Sequence, residues 1–284
     1  MISFIVNTYK RSRILVENLE RLKVLGNSIE IVIVDDCSKD DTAGMLESFA
    51  RRNPNLNLKI IINETNKGYS KSMNIGIENA SNQDVFILND DSFIENGEKD
   101  FAERLESDLK RYDIVATRLI NEEPPSFIQQ ISSFFYSIPA QIFAGELYNY
   151  NKEKKRYVKY GSNAMSFNKG RIRIRFDEKN YSGNYFRIES DFQSRVRKEG
   201  FSMLFDPGLL VLHRSAKAGG LRQESKKRFL YWCIYNHLIF LRKNAGWSRY
   251  YKIPSYFLLK AVTHPIWCKT IISAFSSALK VRIK

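Results

Sequence analysis

DVFILNDDS, residues 84–92, is an apolar run that ends in an amide and two adjacent carboxylates. Four apolar residues in succession, Val85 to Leu88, suit a strand buried on both faces. The same grammar recurs upstream. ISFIV (2–6) leads into Asn7-Thr8-Tyr9, IEIVIV (29–34) into Asp35-Asp36, and LKIII (58–62) towards Asn66-Lys67-Gly68-Tyr69. Helical periods separate these runs. Residues 12–25 place Ile14, Leu15, Leu19, Leu22 and Leu25 on one face, and 41–52 repeats the pattern with Met45, Leu46 and Phe49. Ser38 and Asp41 form a capping-box-like start for that second helix. Further helices are predicted at 69–80 and 98–110, and a fifth strand at 113–117. Such alternation predicts an α/β fold, a mostly parallel sheet with helices on both faces. Ligands of such sheets bind beyond the carboxyl ends of the strands, where the polar residues cluster here.

The pattern breaks at Pro124-Pro125. An uncharged, aromatic-rich segment follows, SFIQQISSFFYSIPAQIF (126–143), within an insertion spanning 124–150. The body resumes at 157–167 with a strand pair or strand plus turn. A helix over 188–199 and short strands near 202–205 and 209–212 follow. Two helices are predicted beyond, at 225–244 and 254–280.

Charge divides the chain unevenly. The 284 residues carry 45 Lys and Arg against 31 Asp and Glu, a net charge of +14. Residues 225–284 hold twelve of the basic residues and no acidic one, leaving 33 against 31 on residues 1–224, a net of +2. Trp232, Trp247 and Trp267, all the tryptophans, also lie in that tail. The reading is a body, 1–224, and a basic amphipathic helical tail, 225–284. A hydrophobic content of 43% excludes a disordered chain. Cys37, Cys233 and Cys268 are too widely spaced for a disulfide framework or a zinc site. A reducing cytosol is the expected compartment. The apolar run after Met1, without a basic leader, predicts no secretory signal. No uncharged apolar stretch reaches the roughly 18 residues of a spanning helix.

Asp35-Asp36 can accept hydrogen bonds from a base or a ribose; a helix-capping turn also explains the pair. Gly68 permits an unusual backbone angle, and Lys67 can face a phosphate. An ordinary loop, with the helix packed through Gly76, is the competing account. Adjacent carboxylates at the end of a buried strand need a cation or donors. Hard oxygen ligands suit Mg²⁺ or Mn²⁺, which bridge substrate phosphates.

Taken in order, VNTYKR (6–11), VDDCSKDDT (34–42), NKGYSKSMNIGIENA (66–80) and DVFILNDDS resemble the N-terminal half of family 2 glycosyltransferases. SGNYFRIESDFQSRVRKEGF (182–201) is similar to the family's acidic segment, and DPGLLVLH (206–213) to its histidine-bearing strand. YWCIYNHLIFLRKN (231–244) faintly resembles the next helix of rhamnosyltransferase-like members. The resemblance covers roughly 1–215 and implies a GT-A type nucleotide-binding sheet flanked by helices, with a C-terminal helical extension. It implies that Asp36 meets the nucleobase, with Asn7 and Tyr9 lining that pocket. Lys67, Gly68 and Asn74 join the nucleotide-sugar site. Asp90 and Asp91 form the D-x-D-type motif, here opened by Asn89; Asp91 holds the metal on the diphosphate, and His213 is a metal or diphosphate contact. Glu189 falls at the catalytic-base position, with Asp191 as competitor. The implied reaction is an inverting, metal-dependent transfer from a nucleotide-diphosphate sugar to a glycan or polyprenyl-linked hydroxyl.

The tail reads as a membrane-interface segment, basic and aromatic on amphipathic helices, of which 229–241 is a thirteen-residue uncharged run. This places the protein peripherally on the cytosolic face of an anionic membrane. Lys217 and Arg222 are candidates for a flexible lid. Two other functions compete: a nucleic-acid-binding protein, disfavoured because the charge sits in an apolar tail and no nucleic-acid motif is present, and a non-catalytic scaffold of the same fold, disfavoured by the retained carboxylates.

Overall fold

The apolar runs become the centre of a sheet. In the computed structural model, which describes residues 1–95, 99–122, 140, 142–144, 154–214 and 225–283, β1 (Ile2–Thr8), β2 (Ile29–Asp35), β3 (Leu58–Ile62) and β4 (Asp84–Asn89) are parallel neighbours in the order β3-β2-β1-β4. Every residue of β2 is buried, as expected for a strand covered on both faces. The helices α1 (Ser12–Leu22), α2 (Thr42–Arg52), α3 (Tyr69–Asn79) and α4 (Lys99–Leu109) fall where the periodicity places them. Leu15, Leu19 and Leu22 of α1, with Leu46 and Phe49 of α2, enter one core with Ile2, Phe4, Val6 and Ile31. Gly76 brings α3 close to the sheet. A Cβ there would lie 2.4 Å from Ile5 Cγ2 and 3.2 Å from Val34 Cγ2.

Beyond β4 the sheet becomes mixed. It adds β5 (Ser92–Ile94), β6 (Ile114–Asn121), β7 (Arg156–Tyr157), β8 (Met165–Asn168) and β9 (Met203–His213). The order continues β4-β8-β6-β9-β5, with β7 on β9; β6 and β9 are parallel and the other added pairs antiparallel. The two strands predicted at 202–205 and 209–212 are one. The β6–β9 register jumps from Thr117↔Asp206 to Arg118↔Leu210. The intervening Pro207, which has no N–H for the ladder, sits in a bulge, so pairing resumes afterwards. Helix α2 lacks the expected capping box, and its N-cap residue Asp41 makes no side-chain cap bond. Asp40 Oδ1 accepts from Thr42 N at 3.1 Å, while Ser38 Oγ accepts from Lys10 N at 2.6 Å.

The remaining helices are α5 (Ile188–Lys198), α6 (Lys226–Asn244), α7 (Arg249–Thr263) and α8 (Cys268–Lys280). The single helix predicted at 254–280 is two, because Pro265 cannot continue the hydrogen-bond ladder and opens a 3₁₀ turn, Pro265–Trp267. The chain forms two compact units: Met1–Glu122, Asn151–Phe176 and Phe192–Gln223; and Glu123–Tyr150, Asp177–Asp191 and Glu224–Lys284. The first holds the sheet. In the second, α6 buries Ile234, Leu238, Ile239 and Leu241, and α8 buries Ile271, Ala274, Phe275 and Ala278. The uncharged run 229–241 is therefore largely a core element rather than a lipid-facing one. Among the described residues no helix is long and apolar enough to cross a membrane. The lid candidates Lys217 and Arg222, and most of the 126–143 segment, lie outside the described residues.

Candidate functional site

The chain runs from β1 to β2 and β3 on one side, then returns to β4 on the other. The carboxyl ends of β1 and β4 thus flank a topological switch point, where open sheets hold ligands. Register sets Asn7 beside Asn89, and Thr8 beside Asp35. At this edge Asn7 Oδ1 and Asp35 Oδ2 are buried, with no hydrogen-bond partner among the described residues. Orphaned acceptors in a native edge call for an external donor. Burial pushes the Asp35 carboxyl above its ordinary pKa.

Asp90 and Asp91 are both buried. Asp90 accepts from Thr8 Oγ1 at 2.8 Å. Arg11 Nη1 bridges the pair, 2.9 Å from Asp90 Oδ1 and 2.9 Å from Asp91 Oδ2. Burial raises the Asp90 pKa; Arg11 offsets this only in part, and the Asp91 charge adds to it. Burial opposes the Arg11 charge, but the two carboxylates outweigh it and raise the guanidinium's pKa. Asn18, buried on α1, donates through Nδ2 to the Asn89, Asp90 and Ser92 carbonyls at 3.2, 3.3 and 2.8 Å, fixing the turn.

His213 arrives by strand pairing. It is registered with Ser92 on β5 and Asn121 on β6. Arg214 N donates to Asp91 O at 2.9 Å. His213 Nε2 lies 3.7 Å from Asp91 Oδ1. Its Nδ1 is 3.1 Å from Asn121 Oδ1, an acceptor, so Nδ1 donates there and Nε2 is the ring nitrogen that faces Asp91. Among the described residues no three or more His, Cys, Asp or Glu side chains are grouped to hold a metal ion. The donor set fits a divalent ion only as a shared site: one carboxylate oxygen and one imidazole nitrogen, with the remaining positions filled by diphosphate and water. That is how Mg²⁺ and Mn²⁺ are commonly bound beside phosphates.

The loop before α3 is organised by Asp36. Its Oδ1 accepts from Lys67 N at 2.7 Å and Asn63 Nδ2 at 3.1 Å, and its Oδ2 from Gly68 N at 2.8 Å. Gly68 has φ of 82°, as its position required. Tyr69 Oη donates to Asn89 Oδ1 at 3.2 Å. Asn74 clasps the Phe176 backbone, accepting from its N–H at 2.9 Å and donating to its carbonyl at 3.0 Å. Tyr9 is partly exposed, with Lys10 Nζ 5.2 Å from its ring centre, and the Lys67 side chain is exposed.

In the second unit, Glu189 and Asp191 share the first turn of α5. They are not equivalent. Glu189 is half-buried, whereas Asp191 is fully buried. Lys243 Nζ lies 3.0 Å from Asp191 Oδ1, and Asn244 Nδ2 donates to the same oxygen at 2.9 Å. Lys243 also pairs with Asp177. The approach to α5 is pinned to α6: Asn236 accepts from Ser182 N at 3.1 Å and donates to Ser182 O at 2.8 Å.

Arg11, Asn18 and Asn121 were not singled out from sequence. Only Arg11 left a trace, as the last residue of VNTYKR.

Fold and site together define a GT-A type protein. The family model for glycosyl transferase family 2 matches residues 3–165, and the chain belongs to that family. It is 26% identical over 168 residues to the undecaprenyl-phosphate 4-deoxy-4-formamido-L-arabinose transferase of Proteus mirabilis, covering 58% of this chain and 51% of the relative. It is 33% identical over 96 residues to the poly(ribitol-phosphate) beta-N-acetylglucosaminyltransferase TarS of Staphylococcus aureus, covering 32% of this chain and 16% of the relative. The chain thus spans about half of one relative and a small part of the other. Among solved structures, residues 1–349 of S. aureus TarS superpose with a TM-score of 0.59 at 17% identity, covering 98% of this chain and 81% of that one. A mannosyltransferase from Pyrobaculum calidifontis, in complex with GDP-Man and Mn²⁺, gives 0.60 at 14% identity, covering 100% and 76%.

Proposed function

We propose that this chain is an inverting glycosyltransferase that moves a sugar from a nucleotide-diphosphate sugar to a hydroxyl of a glycan or polyprenyl-linked acceptor. It acts with Mn²⁺ or Mg²⁺, peripherally at the cytosolic face of an anionic membrane. The observation that carries this is the buried Asp90-Asp91 pair at the switch point, with His213 held against Asp91, in a chain of this family. Solved neighbours bound to UDP-GlcNAc and to GDP-Man with Mn²⁺ support the donor class. The relative named for undecaprenyl phosphate supports the acceptor class.

Asn7, Tyr9 and Asp36 bind the nucleoside, with Lys67, Gly68 and Asn74 shaping that side and Asp90 beside the diphosphate. Asp91 and His213 would hold the divalent ion, which would supply positive charge to offset that developing on the leaving diphosphate. Glu189 takes the acceptor hydroxyl's proton as that oxygen bonds to the anomeric carbon; the anomeric bond to the diphosphate breaks on the opposite face, and the configuration inverts. Glu189 is preferred over Asp191 because Lys243 and Asn244 already occupy the Asp191 carboxylate.

The test is hydrolysis across a panel of nucleotide sugars with and without Mn²⁺. One preferred, metal-stimulated donor is expected, and no hydrolysis of any donor would refute the reading. Asp91→Ala should lose binding of Mn²⁺ and nucleoside diphosphate. Glu189→Gln should retain that binding and lose transfer. An active Glu189→Gln beside an inactive Asp191→Asn would reverse the base assignment.

A further inference from the structure

The second unit contains a cleft lined by like charges. Arg242, Arg249 and Arg282 border a cavity of about 600 Å³ together with Tyr250, Ile253 and Leu279. Arg242 is held in place, bonding the Ala278 carbonyl and, at 2.9 Å, the Val281 carbonyl at the end of α8. Arg249 Nη2 donates to Tyr250 Oη at 3.2 Å. Among the described residues none of the three guanidiniums is paired with a carboxylate. Three cations around one cavity repel one another, and planar guanidinium forks match phosphate oxygens.

A second observation lies alongside. Helix α7 buries Tyr256 on one side and turns an apolar face outward. Trp247, just before the helix, and Tyr251, Leu258 and Val262 recur at intervals of four and seven residues, which keeps them on one side; Leu258 is 64% exposed, Val262 78% and Ile266, just beyond, 92%. Water-facing helix surfaces are normally polar. Lys260 lies against the ring of the buried Tyr256, on the other side of the helix, while Lys252 Nζ lies over the Tyr251 ring at the edge of this face. Tyr250 belongs both to the cleft and to the exposed apolar set. A basic cleft joined through Tyr250 to a helix with an outward apolar face suits an amphiphile with a phosphate head. Twelve basic residues and no acidic one in 225–284 oppose burial of this face against a second copy.

We propose that the cleft seats the phosphate of an anionic membrane phospholipid while the outer face of α7 enters the acyl boundary. This rests on the membrane reading proposed above and narrows the lipid contact from the whole tail, 225–284, to α7.

The test is co-sedimentation of the full chain with phosphatidylcholine vesicles, with and without phosphatidylglycerol. The wild type should bind only the anionic vesicles. Arg249→Ala with Arg282→Ala should weaken binding about tenfold or more, as should Leu258→Glu with Val262→Glu, each at an unchanged melting temperature. Lys226→Ser, Lys227→Ser and Arg228→Ser together remove more charge outside the cleft and should weaken binding less. If the wild type ignores anionic vesicles, the membrane reading itself fails. If it binds and the two double variants bind equally well, that reading stands and the cleft assignment falls. A larger loss from the triple variant would show diffuse charge rather than a site. Release of the protein from vesicles by free glycerol phosphate would assign the cleft to a soluble phosphate. A wild-type dimer dissolved by Val262→Glu would assign the face to self-association. Each of these last three outcomes overturns the proposal.

Discussion

At the scale of single residues, Arg11 governs the chemistry of the acidic pair. Its side chain is 10% exposed and bridges two carboxylates that are 6% and 2% exposed. The site therefore has a resident cation before any metal arrives, and together the three groups still carry a net negative charge. Removing one partner of a buried ion pair leaves uncompensated charge, at about 3 kcal/mol. Arg11→Gln should lower stability by that order in metal-free buffer. Mn²⁺ should restore much of it, because a divalent ion replaces the missing charge. Thermal melts of both proteins with and without Mn²⁺ decide the matter. An equal Mn²⁺ response in the two would show that Arg11 and the metal do not share the same carboxylates.

At the scale of elements, the segment before α5 is shaped by what lies against it. Gly183 has φ of 65°, and a Cβ there would lie 2.2 Å from the Trp232 indole. Gly183→Ala should therefore cost about 2–4 kcal/mol, combining a left-handed backbone with overpacking. Trp232→Leu should recover part of this by making room, and a double-mutant cycle by urea unfolding measures that coupling. Additive losses would mean that Trp232 is not the obstacle. The same elements show what was readable from sequence. Strands β1 to β4 and helices α1 to α4 were legible because burial writes its period into contiguous residues. The acidic edge was legible because a strand end is a local feature. The supports were not. Arg11 meets carboxylates 79 and 80 residues away, and Asn121 meets His213 across 92. Such pairs are set by register between strands, which no local period records. The break at Pro265 did lie in the sequence, where the apolar pattern running past it concealed it.

At the scale of the molecule, the charge that dominates the composition is not the charge that governs stability. The net +14 is mostly solvated on residues 225–284, whereas proton linkage depends on buried groups. His237 is fully buried; its Nε2–H donates to Ala144 O at 2.9 Å and its Nδ1 accepts from Arg187 Nε at 3.2 Å. Burial first, then the charges of Arg187, Lys260 and Lys252, hold its pKa well below the ordinary value despite the bond to Ala144. The native imidazole stays neutral while the unfolded chain takes up a proton below about pH 6.5. The unfolded state then binds more protons, so stability falls as pH falls. The effect shows on the acid side of neutrality, between about pH 7.5 and 5. Asp177 is silent in that window. Burial would raise its pKa, but bonds from Lys243, Asn180 and the Lys179 N–H hold it at about 2. Its contribution is complete above the unfolded carboxylate's pKa and is lost only as pH falls through about 2. Urea unfolding of the wild type and His237→Asn across that range should therefore show a steeper acid-side decline in the wild type. Parallel declines would mean that His237 is protonated in the native state and that the burial argument fails.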